Sequence, residues 1–444
     1  MINIVVDNIN QKISYTCEVL FRYILRTEFR VTERKIFDNR TYQPENEKSN
    51  VILYYAQENP DNSLCIPCSG FLHKDEVVAV NPSLHVDSSF PKLFPAPNSA
   101  NEPNFDLLAA SFYLLCEYDK FTASKYDNHG RYLEEDLYSF KHKLHRQPLV
   151  HLYAEHLWTL IKKRYPGLKR DAQRFNYEIS IDIDHPWAYL HKGLTGYAGF
   201  IKDIVRLDFS GIERRYNAFR IGSDPYFTFP YLIETVDNEK LQFFFLINRE
   251  SSMDGRHTYK CKAYRDLISS LSRSVRIGLH PSYNTAFSKQ ALQLEAMYLK
   301  SITSQHPKDA RQHYLRYRLP QTRTYYSELG IVNDYNAVMI RDIGFPCGMC
   351  IPFPYFNLTE NRMTGLVIHP AQAMDVALKN YMRLNPEEAK ERLTEVIEKS
   401  ASVNGKFLLV WHNSSLTEYF GWKGWKSVFE ETMALLKKKF LSGN

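Results

Sequence analysis

Residues 177–187 read YEISIDIDHPW. The first seven of these residues are rich in apolar and β-branched side chains and predict a buried strand, which ends in Asp182 and Asp184. Two carboxylates at the end of a strand suit a division of labour, because a bound cation separates their pKa values and leaves one as ligand and the other as general base. A strand-end turn capped by Asp184 is the alternative that the spacing leaves open.

Similar apolar runs recur toward the end of the chain, where they alternate with segments of helical period. The predicted strands are 177–183, 241–247, 275–279, about 309–314, about 331–337, 365–368 and 406–411. Alternating strands and helices predict an α/β architecture with a largely parallel sheet. Strands in about this number fit a distorted (β/α) barrel.

The N-terminal part of the chain has a more mixed pattern. Its strand-like and helical runs are 51–55, 77–80, 107–118 and 149–164. Pro166 and Gly167 then form a turn signal that suits a linker. We therefore predict a smaller α+β domain of unspecified role over residues 1–172, followed by the barrel over residues 173–444.

Composition limits the class of protein. The chain has 444 residues, 44% hydrophobic and 24% charged, which indicates a folded globular protein. Its net charge of +6 is too modest to favour nucleic acid as a partner. The start, MINIVVDNINQKISY, resembles no export signal, and no apolar run reaches the length of a transmembrane segment. We expect a cytoplasmic protein, and the oligomeric state is not indicated.

The cysteines offer a candidate zinc site, and buried, reduced thiols are the simpler alternative. Cys65 and Cys68 form one Cys-x-x-Cys pair and Cys347 and Cys350 form another. Together they would supply four thiolates to zinc. The pairs lie far apart in the chain and Pro67 stiffens the first, so we predict buried, reduced thiols instead.

Polar residues follow the predicted strands at or just after their C-terminal ends. They are Asp182, Asp184, His280, Arg311, Asp334, His369 and His412. Parallel α/β barrels build their active sites on this edge, because the strand ends converge there. The sequence therefore predicts one polar site at this edge of the sheet.

Each of these side chains has a chemical role and a simpler structural alternative. His280 would bind a divalent cation, although a lone histidine is more often a hydrogen-bonded structural residue. Arg311 would orient a carboxylate through two parallel hydrogen bonds, with a surface ion pair as the alternative. His412 would act as general acid, and a buried structural histidine stays open. Asp254 and Gly255 would reach the mouth of the site from the loop after residue 248, and a simple turn is the favoured alternative.

Six short motifs occur in one order along this part of the chain: SIDIDHP, GLHPSY, RQHYLR, GF-x-x-G, P-x-x-x-MD and LLVWHN. In this order and spacing they resemble the polysaccharide deacetylase superfamily, also called carbohydrate esterase family 4. The likeness covers residues 175 to 435, and is greatest to a bacterial branch with an uncharacterised N-terminal domain. The resemblance implies a NodB-like barrel and metal-dependent removal of acetyl groups from sugar polymers, including those of the cell envelope.

The resemblance also implies metal ligands. Asp182 would be the catalytic base and Asp184 a metal ligand, although the intervening Ile183 departs from the family motif and leaves the two roles exchangeable. His280 matches the first histidine of the second motif, and Asn284 stands where the family has another. An amide oxygen is a weak ligand for zinc, so His313 or His185 is the alternative occupant of that position.

The remaining motifs imply the catalytic and substrate-binding residues. Arg311 would orient the catalytic carboxylate, Asp334 would tune the catalytic histidine, and His412 would be the general acid. Tyr283 and Trp187 are the candidates for stacking on sugar rings, and His313 is a further substrate contact.

From these residues and the resemblance, the sequence predicts a hydrolase that removes N- or O-linked acetyl groups from a sugar. The predicted cofactor is a divalent metal ion, zinc before cobalt, nickel or manganese, and the predicted partner is an acetylated glycan or glycan precursor. The alternatives are a non-catalytic carbohydrate-binding or scaffold protein with a degenerate barrel, which Asn284 favours, and a glycosidase using Asp182 or Asp184.

Overall fold

The protein has a mixed α/β fold in which most strands pair in parallel. The computed structural model describes residues 1–38, 51–57, 63–87, 89–96 and 102–442. Within these residues the strands form a nine-stranded, a four-stranded and a two-stranded sheet.

The N-terminal residues build the four-stranded sheet, in the order β2-β1-β3-β4. Its strands are β1 (Ile2–Val6), β2 (Phe29–Glu33), β3 (Val51–Ala56) and β4 (Cys65–Pro67). All three pairings are parallel, which corrects the α+β prediction for this part. The chain between β1 and β2 is helical and supplies the crossover that parallel pairing requires. Strands β5 (Leu84–Val86) and β6 (Pro91–Leu93) form the two-stranded sheet, which is antiparallel.

Helices cover this sheet. They are α1 (Gln11–Cys17), which continues as π-helix over Glu18–Ile24, then α2 (Arg34–Asp38), α3 (Leu107–Leu115), α4 (Tyr118–Phe121), α5 (Tyr138–Lys141) and α6 (Leu149–Arg164). The prediction of a helix over 149–164 is confirmed. The predicted strand at 77–80 is wrong, because this segment pairs with no strand among the described residues and its Val80 carbonyl accepts from the Tyr113 hydroxyl instead.

The nine-stranded sheet carries the candidate site. In chain order its strands are β7 (Asn176–Ile183), β8 (Leu241–Phe245), β9 (Arg276–Leu279), β10 (Asp309–Ala310), β11 (Asn333–Asp334), β12 (Phe353–Asn357), β13 (Arg362–Ile368), β14 (Ala373–Met374) and β15 (Lys406–His412). Their order across the sheet is β12-β13-β11-β10-β9-β8-β7-β15-β14, and only β12 is antiparallel to its neighbour. Pairing in the described residues ends at β12 and β14, so hydrogen bonds do not close this sheet into a barrel.

Helices join most of these strands and pack on the sheet. They are α7 (Leu194–Val205), α8 (Phe209–Ile221), α9 (Phe229–Thr235), α10 (Lys262–Leu271), α11 (Lys289–Thr303), α12 (Gln321–Glu328), α13 (Pro386–Ser402) and α14 (Trp425–Ser442). Each of the seven predicted strands has a counterpart here. Those at 309–314 and 331–337 shrink to two residues each, because the polar residues that follow leave the hydrogen-bonded ladder.

One hydrophobic core runs through both large sheets, and the division at residue 172 stays a prediction. All the cysteines are free: Cys65 and the Cys347/Cys350 pair are buried, and Cys68 is half-buried. No helix among the described residues combines the length and apolar character that crossing a membrane needs.

The register of the parallel strands aligns the predicted polar residues. Asp182 pairs with His412 across β7 and β15. Further along the same edge, Phe245 of β8 pairs with Leu279 of β9, which in turn pairs with Ala310 of β10. His280 and Arg311, the residues that follow these last two strands, therefore leave the sheet on one edge beside Asp182.

Candidate active site

Three imidazoles face the Asp184 carboxylate at this edge. His280 Nε2 lies 3.2 Å from Asp184 Oδ1, and His313 Nε2 lies 3.5 Å from Oδ2. His412 Nε2 lies slightly farther away, 3.8 Å from Oδ2. The ligand atoms of Asp184, His280 and His313 all lie within 4.8 Å of one another, which is close enough for one metal ion to reach all three.

The far side of each imidazole is held by a hydrogen-bond acceptor. His280 Nδ1 donates to the Arg311 carbonyl at 2.5 Å. His313 Nδ1 donates to Asp254 at 3.1 Å, and His412 Nδ1 donates to Asp375 at 2.8 Å. This arrangement fixes ring orientation and is typical of histidines that bind metals, because it leaves Nε2 facing the ligand.

The contacts around Asp184 Oδ1 call for a positive charge. Since a carbonyl accepts only, His280 carries a proton on Nδ1, and in the neutral ring the Nε2 lone pair faces an oxygen that also accepts only. Asp184 Oδ1 is buried and has no hydrogen-bond partner among the described residues. A divalent cation would satisfy both atoms, and one carboxylate with two imidazoles is a donor set that suits zinc.

The electrostatics of the cluster favour the same charge distribution. Burial opposes the charge on Asp184, but His313, His280 and His412 together outweigh it and hold the pKa of Asp184 well below its usual range. Burial likewise opposes the charge on His313, but Asp184 and Asp254 raise its pKa to about 9. The site thus keeps Asp184 ionised and attracts a cation, either a proton on His313 or a metal ion.

Asp182 lies beside this cluster and is held by Arg311. The Arg311 guanidinium has no solvent exposure, and its Nε lies 3.0 and 3.1 Å from the two oxygens of Asp182. Arg311 Nη1 donates to Ser180 at 2.9 Å, and the guanidinium lies over the Phe244 ring. Asp182 Oδ2 lies 4.0 Å from His280 Nε2, so this carboxylate is oriented next to the cluster without joining it.

His412 is the third imidazole and is held by Asp375 through two contacts. Besides the Nδ1 bond, the His412 backbone N–H donates to Asp375 Oδ2 at 2.9 Å. Burial opposes the charge on His412, but Asp375 outweighs it and raises the pKa of His412 to about 10. A protonated Nε2 that faces the site is what a general acid requires.

The sequence does not show which side chains Asp254 and Asp375 contact. Asp375 lies in the P-x-x-x-MD motif quoted above, but nothing in the motif shows that it contacts His412. The turn reading of Asp254 and Gly255 omits the contact with His313. A Cβ on Gly255 would lie 2.0 Å from the Asp184 carbonyl oxygen, so only glycine allows this loop to approach the site so closely.

Asn284 and Asp334 lie outside the cluster that the sequence placed them in. Asn284 is exposed, and its amide contacts the Glu250 carbonyl at 3.3 Å and Arg316 at 3.4 Å. His313, the alternative named for its position, faces Asp184 instead. Asp334 accepts from Arg323 at 2.7 Å in a buried ion pair, while Asp375 makes the contact with His412 that was expected of Asp334.

Two of the predicted substrate-binding residues also have other surroundings. Trp187 is only 5% exposed and packs among Phe227, His257 and Tyr264. The Tyr283 hydroxyl forms a hydrogen bond with His129 Nδ1 at 3.1 Å. His369 bonds to Asn333 at 3.0 Å, and like the two aromatic residues it does not line the site pocket.

A cavity of about 350 Å³ opens over the cluster. Asp182, Asp184, His185, His280, His313 and His412 line its polar side. Tyr314, Tyr381 and Trp422 supply aromatic walls, and Arg131 reaches it from the N-terminal part of the chain. Tyr314 has a left-handed backbone with φ of 62°, a strained conformation of the kind that clusters at functional sites.

Among family models, a match is found for the N-terminal part of the chain. Residues 2–166 match DUF7033, a family of unknown function. No curated protein matches the chain.

Among solved structures the chain is similar to two proteins described as polysaccharide deacetylases. One, from Mycobacterium smegmatis, has 13% identity and a TM-score of 0.36, with 61% of this chain and 86% of that chain covered. The other, from Pseudomonas aeruginosa PAO1, has 10% identity and a TM-score of 0.37, with 60% and 86% covered. A 4-alpha-glucanotransferase from Thermococcus litoralis has 14% identity and a TM-score of 0.36, with 62% and 41% covered.

Proposed function

We propose that the chain is a metal-dependent hydrolase that removes acetyl groups from a sugar or glycan. The observation that carries this proposal is the set of imidazole Nε2 atoms around Asp184, each with its Nδ1 held from behind. The motifs that resemble polysaccharide deacetylases support the acetylated substrate. The distorted, NodB-like barrel and the separate N-terminal domain belong to the same proposal.

Asp184, His280 and His313 would hold the metal ion. Zinc suits one carboxylate and two imidazoles, and cobalt, nickel or manganese accept the same donor atoms. When bound, such an ion supplies a Lewis acid for the acetyl carbonyl and lowers the pKa of a water molecule.

Asp182 would act as the general base. It accepts a proton from the water that attacks the acetyl carbon, while the Arg311 guanidinium holds the carboxylate in orientation. The sequence left the roles of Asp182 and Asp184 exchangeable, and the contacts of the two side chains support Asp182 as base and Asp184 as ligand. Asp182 is bound by a guanidinium, whereas Asp184 faces imidazoles and has an oxygen without a partner.

His412 would act as the general acid. It donates the Nε2 proton to the departing sugar amine or hydroxyl as the bond to the acetyl carbon breaks, and acetate leaves with the oxygen of water. Asp375 stabilises the imidazolium before this transfer and holds the ring in place during it.

The pocket would hold the acetylated sugar unit. Its volume of about 350 Å³ lies at the lower end of small-molecule sites. Tyr314 and Trp422 take the stacking role that the sequence assigned to Tyr283 and Trp187, because both line the pocket.

The competing proposal is a binding protein that has lost its metal site. Its main support was Asn284 in place of a second histidine, and the position of His313 removes that support. A glycosidase is the other alternative, and it differs in its product, a new reducing end.

The test measures metal binding and acetate release on the same protein. Calorimetric titration with zinc should give one site per chain, and the zinc-loaded protein should release acetate from acetylated chito-oligosaccharides. Asp184→Asn and His313→Gln should weaken zinc affinity by at least about tenfold and abolish acetate release.

Asn284→Ala is the matched control, because the sequence predicts this residue as a ligand and the structure places it outside the cluster. It should bind zinc as the unaltered protein does. Zinc binding without acetate release from any acetylated glycan would support the binding protein. Reducing ends without acetate would support the glycosidase, and no zinc binding would contradict the proposed metal site.

A further inference from the structure

Helices α7 and α8 and the turn between them present large apolar side chains to solvent. We call this set the hairpin surface; its members are Phe200, Ile201, Ile204, Val205, Leu207, Phe209, Tyr216, Phe219 and Ile221. Val205 is 77% exposed and Phe209 is 73% exposed. Single exposed apolar residues are ordinary, but so many on one supersecondary unit indicate an interaction surface.

The spacing of these residues places most of them on one stripe of each helix. On α8, Phe209, Tyr216 and Phe219 recur at intervals of seven and three residues, with half-buried Ile212 between the first two. On α7, Phe200 and Ile204 are four residues apart, and the residue after each is also apolar and exposed. Both helices are therefore amphipathic, with the apolar side outward.

The inner side of the hairpin is polar or small, the reverse of an ordinary packed helix pair. Arg215 Nε binds Asp203 Oδ2 at 2.5 Å between the two helices. A Cβ on Gly199 would lie 2.6 Å from the Arg215 guanidinium, and the buried residues of α8 are Gly211 and Ala218. The side chains of the hairpin surface are thus exposed rather than packed between the two helices.

Exposed cations lie among the apolar side chains. Lys202 on α7, Arg206 in the turn and Arg220 on α8 are exposed. Two of the acidic residues, Asp203 and Asp208, are half-buried and lie against Arg215 and Arg214, which largely compensates their charge. Glu213 is exposed on α8, so the three exposed cations face one exposed carboxylate. The solvent-facing side of the hairpin is therefore both apolar and basic.

We propose that the hairpin surface binds the surface of an anionic lipid bilayer. Amphipathic helices with large apolar residues and interspersed Lys and Arg insert at the boundary between headgroups and acyl chains. Each exposed cation adds attraction to anionic headgroups. A second copy of the chain fits less well, because a twofold contact would bring the same cations against one another.

The hairpin surface continues toward the candidate active site. Arg214 of α8 lies over the rings of Tyr419 and Phe420, which are both exposed. Trp422, two residues farther along the chain, lines the pocket. A bilayer bound at the hairpin would lie on this side of the molecule, so the proposal fits a substrate carried on a lipid, but it does not depend on the hydrolase activity.

The test is flotation of the full chain with vesicles. Vesicles of phosphatidylcholine containing about one-third phosphatidylglycerol should carry the protein, and binding should weaken as salt is added. The double variant Leu207→Ser/Phe209→Ser should weaken binding at least about tenfold, because two large apolar side chains no longer insert. Arg206→Gln should weaken it about fivefold and should leave binding to pure phosphatidylcholine unchanged.

The double variant Leu294→Ser/Met297→Ser is the matched control. Both residues are exposed apolar side chains, but they lie on α11. This variant should bind vesicles like the unaltered protein, and both double variants should keep the same melting temperature. Failure to bind anionic vesicles, equal losses in both double variants, or a solution dimer that only Leu207→Ser/Phe209→Ser dissociates would each overturn the proposal. Acetate release is not used in this test, so a failed hydrolase proposal leaves it intact.

Discussion

Asp375→Asn isolates the support given to His412. The residue has no solvent exposure, and its two oxygens accept from the imidazole Nδ1 and from the backbone N–H of His412. An asparagine keeps the shape but has one acceptor oxygen, so one of these donors faces an amide NH₂ group. The negative charge that stabilises the imidazolium is also lost.

The size of the effect follows from the two contacts. A hydrogen bond to a charged group contributes about 1.5–3 kcal/mol, and about 1.4 kcal/mol corresponds to one pKa unit. With Asp375 present, burial is outweighed by its charge and hydrogen bond together with the charges of Asp184 and Asp182, and the pKa of His412 is raised to about 10. The substitution should therefore lower the pKa of His412 to between about 8 and 9.

The measurement is an NMR titration of His412 in protein treated with a chelator, compared with the pH profile of kcat/KM in the zinc-loaded protein. A general acid must be protonated, so the alkaline limb of the profile should move to lower pH together with the titration. Asp342→Asn is a matched control, because Asp342 makes a similar buried contact with His145 at 3.0 Å, outside the pocket. It should leave the His412 titration unchanged. A His412 pKa that Asp375→Asn does not lower would refute the reasoning.

Three further predictions concern other parts of the site and fold. Gly255→Ala should lower acetate release at least about tenfold with little change in expression, because the added Cβ would lie 2.0 Å from the Asp184 carbonyl; activity at the level of the unaltered protein would contradict this. Burial raises the pKa of Glu295 to about 7, so the folded protein favours the protonated carboxyl and loses stability as the pH rises from about 4.5 to 7. Relative to Glu295→Gln, its free energy of unfolding, measured by urea denaturation, should fall by about 3 kcal/mol over this range. Arg323→Met leaves a buried Glu117 carboxylate without the Arg323 contact of 2.6 Å and should destabilise the protein by about 3–5 kcal/mol in the same assay, and a change below about 1 kcal/mol would show that the pair is dispensable.

Strands β7, β8 and β15 of the main sheet could be predicted because they are buried on both sides. Residues 241–247 read LQFFFLI, and the strand β8 they predict is buried throughout. Residues 309–314 mix apolar with polar side chains, and only two of them stay in the ladder. The parallel pairing of β1 with β2 was not visible, since short strands with helices between them fit α+β and α/β folds equally well.

The site could be predicted only as far as strand ends determine it. Asp182, Asp184, His280 and His412 meet because parallel strands converge on one edge, and their positions in the sequence follow that edge. His313 was one of two alternatives for the position that Asn284 was expected to fill. The choice depends on the backbone turn after Arg311, which short spacing does not specify.

The sequence could not predict the residues that hold the site histidines from behind. Asp254 holds His313 across a separation of 59 residues, and no spacing rule connects a loop turn with a strand end so far away. Trp187 is an example of the reverse error. Its position beside the predicted carboxylates suggested a sugar contact, but its large apolar ring is more stable in the aromatic core that surrounds it.

The most direct measurement is X-ray diffraction at the zinc absorption edge from crystals of the full chain grown with zinc. The account predicts one anomalous peak per chain, within bonding distance of Asp184, His280 and His313, with Asn284 too distant to be a ligand. A peak at the cysteine pairs or at Asn284, or no peak between Asp184, His280 and His313, would contradict it.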